Sequence, residues 1–397
     1  MANKQISDLT EATSLGASDL FLIETSGGDS RKITRSNTSF LADIMTVVSR
    51  DATGDYVCDG TSDQTQINQA ITAVNGNGGG TIYVKAGSYV ISSSIIPLSN
   101  VHIIFDKNAT VTRAIDIEMV SSSSEISNFK IEGGRFCNDT GTNEIITLSN
   151  INNEEIEIAG MTFVKCGGRA IYVGGDFKVI NCNGIDIAQG IGTPDLSLQT
   201  SGAYKIPRCI IESCFFENQT FSGSQNEGVD INWHNLGYAT INDCICRGYH
   251  DASFELNCRY YQVSNCIAIG ANGYAPTPGH FAFAIKEEAT DGRLHTGNVT
   301  NCIVINLNGT GYGFYTDRAN SINFNGCQVI STDLTNSIGY RISGATSESV
   351  VMNGCMAQNC NQGIYSSIGG ILTAIAFQDI DCTTRIYETG GSTTLID

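Results

Sequence analysis

The octapeptide VSNCIAIG at 263–270 returns as VTNCIVIN at 299–306, and its outline is kept in IESCFFEN at 211–218 and INDCICRG at 241–248. With the cysteine as reference, the series runs Cys182, Cys214, Cys244, Cys266, Cys302, Cys327 and Cys355, with Met161 before it and Ile380 after. The steps are 21, 32, 30, 22, 36, 25, 28 and 25 residues. A period in this range marks stacked units, none of which can bury its apolar face alone. Apolar and polar residues alternate with period two around each cysteine, so the units are built of strands. A second strand aligns in every unit, among them EGVDIN (227–232), ASFELN (252–257), FAFAIK (281–286) and YGFYTD (312–317). Its inward positions, Ile171, Ile191, Val229, Phe254, Phe283, Phe314, Tyr340 and Ile364, stack like on like, as a parallel sheet buried on one face requires. The pattern predicts an all-β chain forming a single-stranded parallel β-helix, with the cysteines as a ladder of buried thiols.

Composition narrows the partners. A formal charge of −18 disfavours nucleic acid and leaves neutral glycans open. No apolar run approaches a membrane span, so no membrane insertion is expected, and MANKQISDLT lacks the basic and apolar regions of a secretory leader. Fifteen cysteines, an odd number without a CxxC pair or a Cys/His cluster at zinc spacing, fit reduced thiols formed in a cytoplasm. Neither a metal nor a cofactor is called for by these spacings.

Ahead of the coils stands DGTSDQTQINQAITAVNGNGGGTIYVKAGSYVI (59–91). Asp63 or Ser62 is placed to cap a helix whose apolar face is Ile67, Ala70, Ile71 and Val74, and Gly78–Gly80 end it. Such a helix, over 62–75, would cover the open N-terminal end of a solenoid. This stretch resembles the entry segment of the pectate-lyase-like right-handed β-helices, with its Asp-Gly start, helix and glycine-rich passage into the first strand; Lys85 stands where that family often has proline. Residues 5–37 resemble the short N-terminal segment of bacteriophage tail fibres and tailspikes, through Ile6, Leu9, Ala12, Leu15, Asp19, Leu20 and Ile23 followed by RKIT. The two resemblances together imply a tailspike in the virion, assembled in the host cytoplasm. Residues 1–45 would be a virion-attachment segment, docking on a tail or baseplate adaptor protein, and 46–397 the β-helix. They imply a homotrimer that binds, and often cleaves, a host cell-surface polysaccharide.

Chemistry is expected on the outward positions of the second strand. One stripe reads Tyr172, Gly192, Asp230, Glu255, Ala284, Tyr315, Arg341 and Tyr365; the next reads Gly174, Pro194, Asn232, Asn257, Lys286, Asp317, Ser343 and Ser367. Adjacent rungs lie about 4.8 Å apart, so Asp230 and Glu255 become neighbours, an unfavourable pairing unless a proton, a cation or Lys286 and Arg341 compensate it. Two close carboxylates in different protonation states are what glycoside hydrolysis uses. Asp230 and Glu255 are therefore the candidate catalytic pair, with Asp317 next. Asn232, Asn257, Lys286, Tyr315, Arg341 and Trp233 are the candidate substrate-binding residues, and Ala284 leaves a gap for a sugar ring. His250, Asp251, Glu287 and Glu288 are reserve groups. Loops expected at 193–207, 215–227, 267–280 and 287–298 surround this place. One alternative is a lyase acting on a uronate-containing glycan, with Asp230, Glu255 and Asp317 holding Ca2+ and Lys286 or Arg341 as base. Another is a receptor-binding or structural tail protein without catalysis, in which the acids merely solvate an exposed face.

Overall fold

A computed structural model describes residues 45–137, 141–194, 206–220, 226–233, 237–249, 251–270, 281–286, 296–307, 311–317, 321–344 and 349–396, together with the backbone of 20–24 and 30–34. Leu20–Glu24 and Ser30–Thr34 pair antiparallel as a two-stranded sheet of their own. The matching residues Ile6, Leu9, Ala12, Leu15 and Asp19 lie outside the described residues. The other 32 strands form one continuous parallel system beginning at Thr46–Ser49.

Each central coil has three strands where the sequence pattern suggested two, because the cysteine phrase is a corner between two of them. In the coil of Cys266, for example, Tyr260–Ser264 ends before the cysteine, Ile267–Ile269 follows it, and Phe281–Lys286 completes the turn. The residue before each ladder position adopts a left-handed conformation, with φ of 54° at Ser213, Asp243 and Asn265, 52° at Asn301 and 62° at Gly326. Asn, Asp and Gly tolerate that conformation, so they recur there. The cysteine itself is small enough for the corner and carries a donor. Cys244 Sγ donates to the Asn242 carbonyl at 3.2 Å, and Cys327 Sγ to Val299 of the preceding coil at 3.3 Å. Valine would fill the slot but leave those carbonyls without the thiol. All fifteen cysteines are free thiols. The ladder ends on Phe377 rather than Ile380: Met356 pairs with Gln378, Phe377 is buried, and Ile380 lies exposed.

The third sheet carries the expected core ladder. Val229, Phe254, Phe283, Phe314, Tyr340 and Ile364 are register partners in sequence. From Phe254 to Tyr340 the ring centroids are 4.7, 4.8 and 5.1 Å apart, with interplanar angles of 14° or less. The rung spacing of about 4.8 Å thus sets the ring stacking directly.

At the N-terminal end, a helix spans Gln64–Gly76 and buries Ile67, Ala70, Ile71 and Val74 in the core. Asp63 stands at its N-cap but does not cap it through the side chain. Its carboxylate accepts from the Gly60 and Val90 backbone N–H groups at 2.8 Å each, and Arg50 lies at 3.6 Å. Asp63 therefore ties the entry loop to the strand Gly87–Ile91, while Gly78–Gly80, all at positive φ, end the helix.

Candidate functional site

The outer face of the third sheet places Asp230 and Glu255 as direct register partners on Glu227–Asn232 and Ala252–Asn257. Both are buried despite facing outward, at 8% and 7% exposure. Lys286 Nζ lies 2.8 Å from Glu255 Oε2. Arg169 lies 3.9 Å from Asp230 Oδ2 and 3.8 Å from Glu144 Oε1. Gly192 makes that reach feasible, since a Cβ there would lie 2.4 Å from Arg169 Nε. Each of the two expected carboxylates thus has a cation beside it, which favours its charged form.

A third carboxylate was missed. Strict alternation turns Glu227 inward with Val229, but Gly228 breaks the alternation. A Cβ on Gly228 would lie 2.5 Å from Cys246 Sγ, so positions 228 and 229 both face the core and Glu227 emerges outside. The same slot holds Ser253, Ala282, Gly313, Gly339 and Gly363 in the following coils, all small residues. That row of small residues was the available signal. Glu227 is 8% exposed, and its carboxyl is pushed up to about 7. Burial is the main cause, followed by the charges of Glu255 and Asp251; Arg169 and Lys286 pull the other way. Asp251 is also raised, by burial, against the pull of Lys286. Five acids, Glu144, Glu227, Asp230, Asp251 and Glu255, thus share Arg169 and Lys286.

Beyond Glu255 the face becomes aromatic. Phe281 lies 5.4 Å from Tyr312 and 4.7 Å from Tyr315, centroid to centroid. Arg341 sits over Tyr312, Tyr315 and Tyr365 at 4.6, 5.6 and 5.5 Å, and donates from Nη1 to the Tyr312 hydroxyl. Tyr365 stacks in turn on Tyr387 at 5.4 Å.

Several expected residues take other places. The gap at Ala284 is closed: that residue is fully buried, and Lys286 lies across it, with Nζ 4.9 Å from the Phe281 ring as well as on Glu255. Trp233 is 1% exposed and packs edge-on against Phe177, so a tryptophan that strand alternation leaves at a corner fills the core instead of offering a ring face. Asn257 is likewise 1% exposed and donates to Asn232 Oδ1 at 3.2 Å, forming an amide rung within the protein. Asp317 is the register partner of Lys286, two coils beyond Glu255. His250, Glu287 and Glu288 lie outside the described residues. So do 195–205, 221–225, 271–280 and 287–295 of the expected loops, while Phe215–Glu217 and Ile267–Ile269 within them are strands.

No family model and no curated protein matches the chain. Among solved structures, a GH87 α-1,3-glucanase catalytic unit from Streptomyces thermodiastaticus matches with a TM-score of 0.61 at 13% identity, over 89% of this chain and 68% of that one. The tailspike protein of E. coli bacteriophage HK620, in complex with a pentasaccharide, matches with 0.55 at 16%, over 95% and 68%. PfbA, a surface adhesin of Streptococcus pneumoniae, matches with 0.57 at 12%, over 89% and 93%. The fold is a right-handed parallel β-helix. At these identities the likeness is one of fold, and the site of this β-helix has to be read from its own side chains.

Proposed function

We propose that this β-helix is a phage tailspike that binds and hydrolyses a host cell-surface polysaccharide, working as a homotrimer held on the tail through residues 1–45. The observation that carries the catalytic part is the burial of three carboxyl groups, Glu227, Asp230 and Glu255, on one outer face, with Arg169 beside Asp230 and Lys286 beside Glu255. Glu227 keeps a proton near neutrality, while Glu255 and Asp230 face cations. Glu227 then donates its proton to the glycosidic oxygen as the bond to the anomeric carbon breaks. A charged carboxylate, Glu255 or Asp230, attacks that carbon or takes a proton from the incoming water. The aromatic strip from Phe281 to Tyr365 gives sugar rings apolar faces to lie on. The tail-like segment at 5–37 and the fold shared with a tailspike that holds a pentasaccharide support the setting.

The calcium-dependent lyase fits the arrangement poorly. Among the described residues no group of three or more His, Cys, Asp or Glu side chains is placed to hold a metal. Lys286 is ion-paired and Arg341 is enclosed by tyrosines, so neither is set up as a base. A binding-only protein is the reading that the aromatic strip would support by itself. The decisive experiment is incubation of the full chain with host capsule or O-polysaccharide. New reducing ends without the ultraviolet absorbance of an unsaturated uronate are expected, lost in Glu227→Gln and Glu255→Gln with binding retained. Binding without cleavage by the wild type would leave the protein an adhesin-like binder.

A further inference from the structure

We infer that Arg341 anchors a carboxylate or other anionic substituent of the bound glycan, so that the substrate is an acidic polysaccharide. The inference rests on the glycan-hydrolase reading above and deepens it. Among the described residues, the cations Arg169, Lys286 and Arg341 lie on the outer face of the third sheet, and they differ in what they face. Arg169 lies against Glu144 and Asp230, and Lys286 against Glu255. Arg341 forms no ion pair among the described residues. Its partners are the three tyrosine rings and one tyrosine hydroxyl. Its Nε is sealed from solvent without an acceptor, and Nη2 is neither bonded nor sealed off.

Tyrosine faces fix the guanidinium plane but supply no negative charge, so the fork is rigid and its charge is unneutralised. A planar, pre-set fork is suited to a carboxylate, which a flexible lysine would bind only as a point charge. Position adds to this. Arg341 follows Glu255 by three rungs along one stripe, through Ala284 and Tyr315. At about 4.8 Å per rung that is about 14 Å, roughly the reach of three linked sugars laid along the axis. The acidic group therefore belongs to a residue away from the scissile bond, where it sets specificity and register. The chain's overall charge of −18 does not forbid this, because charges beyond about 8–10 Å are screened at physiological salt.

The test uses a panel of bacterial polysaccharides in which each acidic member is paired with its carboxyl-reduced form, probed with the full chain carrying Glu227→Gln to prevent turnover. Acidic members are expected to bind, and carboxyl reduction to weaken them by about tenfold or more. Adding Arg341→Gln should produce the same loss on acidic glycans and little change on reduced ones, with Arg341→Lys recovering only part. An unchanged melting temperature excludes misfolding, and if Arg341→Gln unfolds the chain, Arg341→Lys with the reduced-glycan pair decides alone. Neutral glycans bound by the Glu227→Gln chain and cut by the wild type, or Arg341→Gln and Arg341→Lys with undiminished acidic affinity, would overturn the proposal while leaving the hydrolase reading intact. Failure to bind any member would remove both.

Discussion

The solenoid stacks charge in two ways. On the outer face of the first sheet, in the early coils, opposite signs meet: Lys130 Nζ lies 2.9 Å from Glu132 and 3.0 Å from Glu157, while His102, held below the usual imidazole range by burial, lies 3.3 Å from Glu132. These groups are about a third exposed and cost the fold little. On the third sheet, with the same strand spacing, three carboxyl groups, Glu227, Asp230 and Glu255, are nearly buried together, with Arg169 and Lys286 beside two of them. A solvated face has no reason to hold carboxylates in that way. The difference is the one expected between a face arranged for solubility and the proposed catalytic face, which would give up stability for chemistry.

The comparison breaks or sharpens at four points. Glu255→Gln or Glu227→Gln should lower turnover by about 10²-fold or more, while Glu157→Gln on the first sheet leaves the rate unchanged. Equal losses in all three would mean that burial of like charge carries no functional meaning here. Lys286→Met leaves Glu255 buried without its cation and should cost about 3 kcal/mol in urea denaturation at pH 8, the low end for a broken buried pair. The third point concerns pH. Glu227 is raised from 4.5 to about 7, so between these values the folded chain holds a proton that the unfolded chain has released. Stability from this group is full below pH 4.5 and falls as pH rises through 7, by about 3 kcal/mol at most. Glu227→Gln should flatten that part of the stability–pH curve; an identical slope in the variant would place the raised group elsewhere. Last and smallest, Lys130→Met should change stability by less than about 1 kcal/mol, and less again in high salt.

Much of the fold was legible because a solenoid writes each slot many times. The cysteine and phenylalanine ladders were aligned from sequence, and every register pair from Val229 to Ile364 occurs as aligned. What failed was local. The corner inside VSNCIAIG depends on a left-handed Asn265, which sets two outward residues, Ser264 and Asn265, between buried Val263 and Cys266, so the parity shifts at the corner and a strict period-two reading of one strand runs past it. At the site, Asp230 beside Glu255 follows from register alone. Glu227 does not, since two successive inward positions reverse the parity that strand reading relies on. The covering of Ala284 by Lys286 is a matter of side-chain reach, which no spacing encodes.

The turns have a bearing on how such a molecule can change over evolutionary time. Cys244 and Cys266 are 22 residues apart, Cys266 and Cys302 are 36 apart, and each step still advances the stack by a single rung. Chain length between corners is thus uncoupled from rise along the axis. Insertions and deletions between corners can be tried without moving Glu255 relative to Arg341. In the proposed tailspike, the loops around this face could thus be rewritten as a surface glycan changes while the spacing of the proposed catalytic and anchoring residues stays fixed.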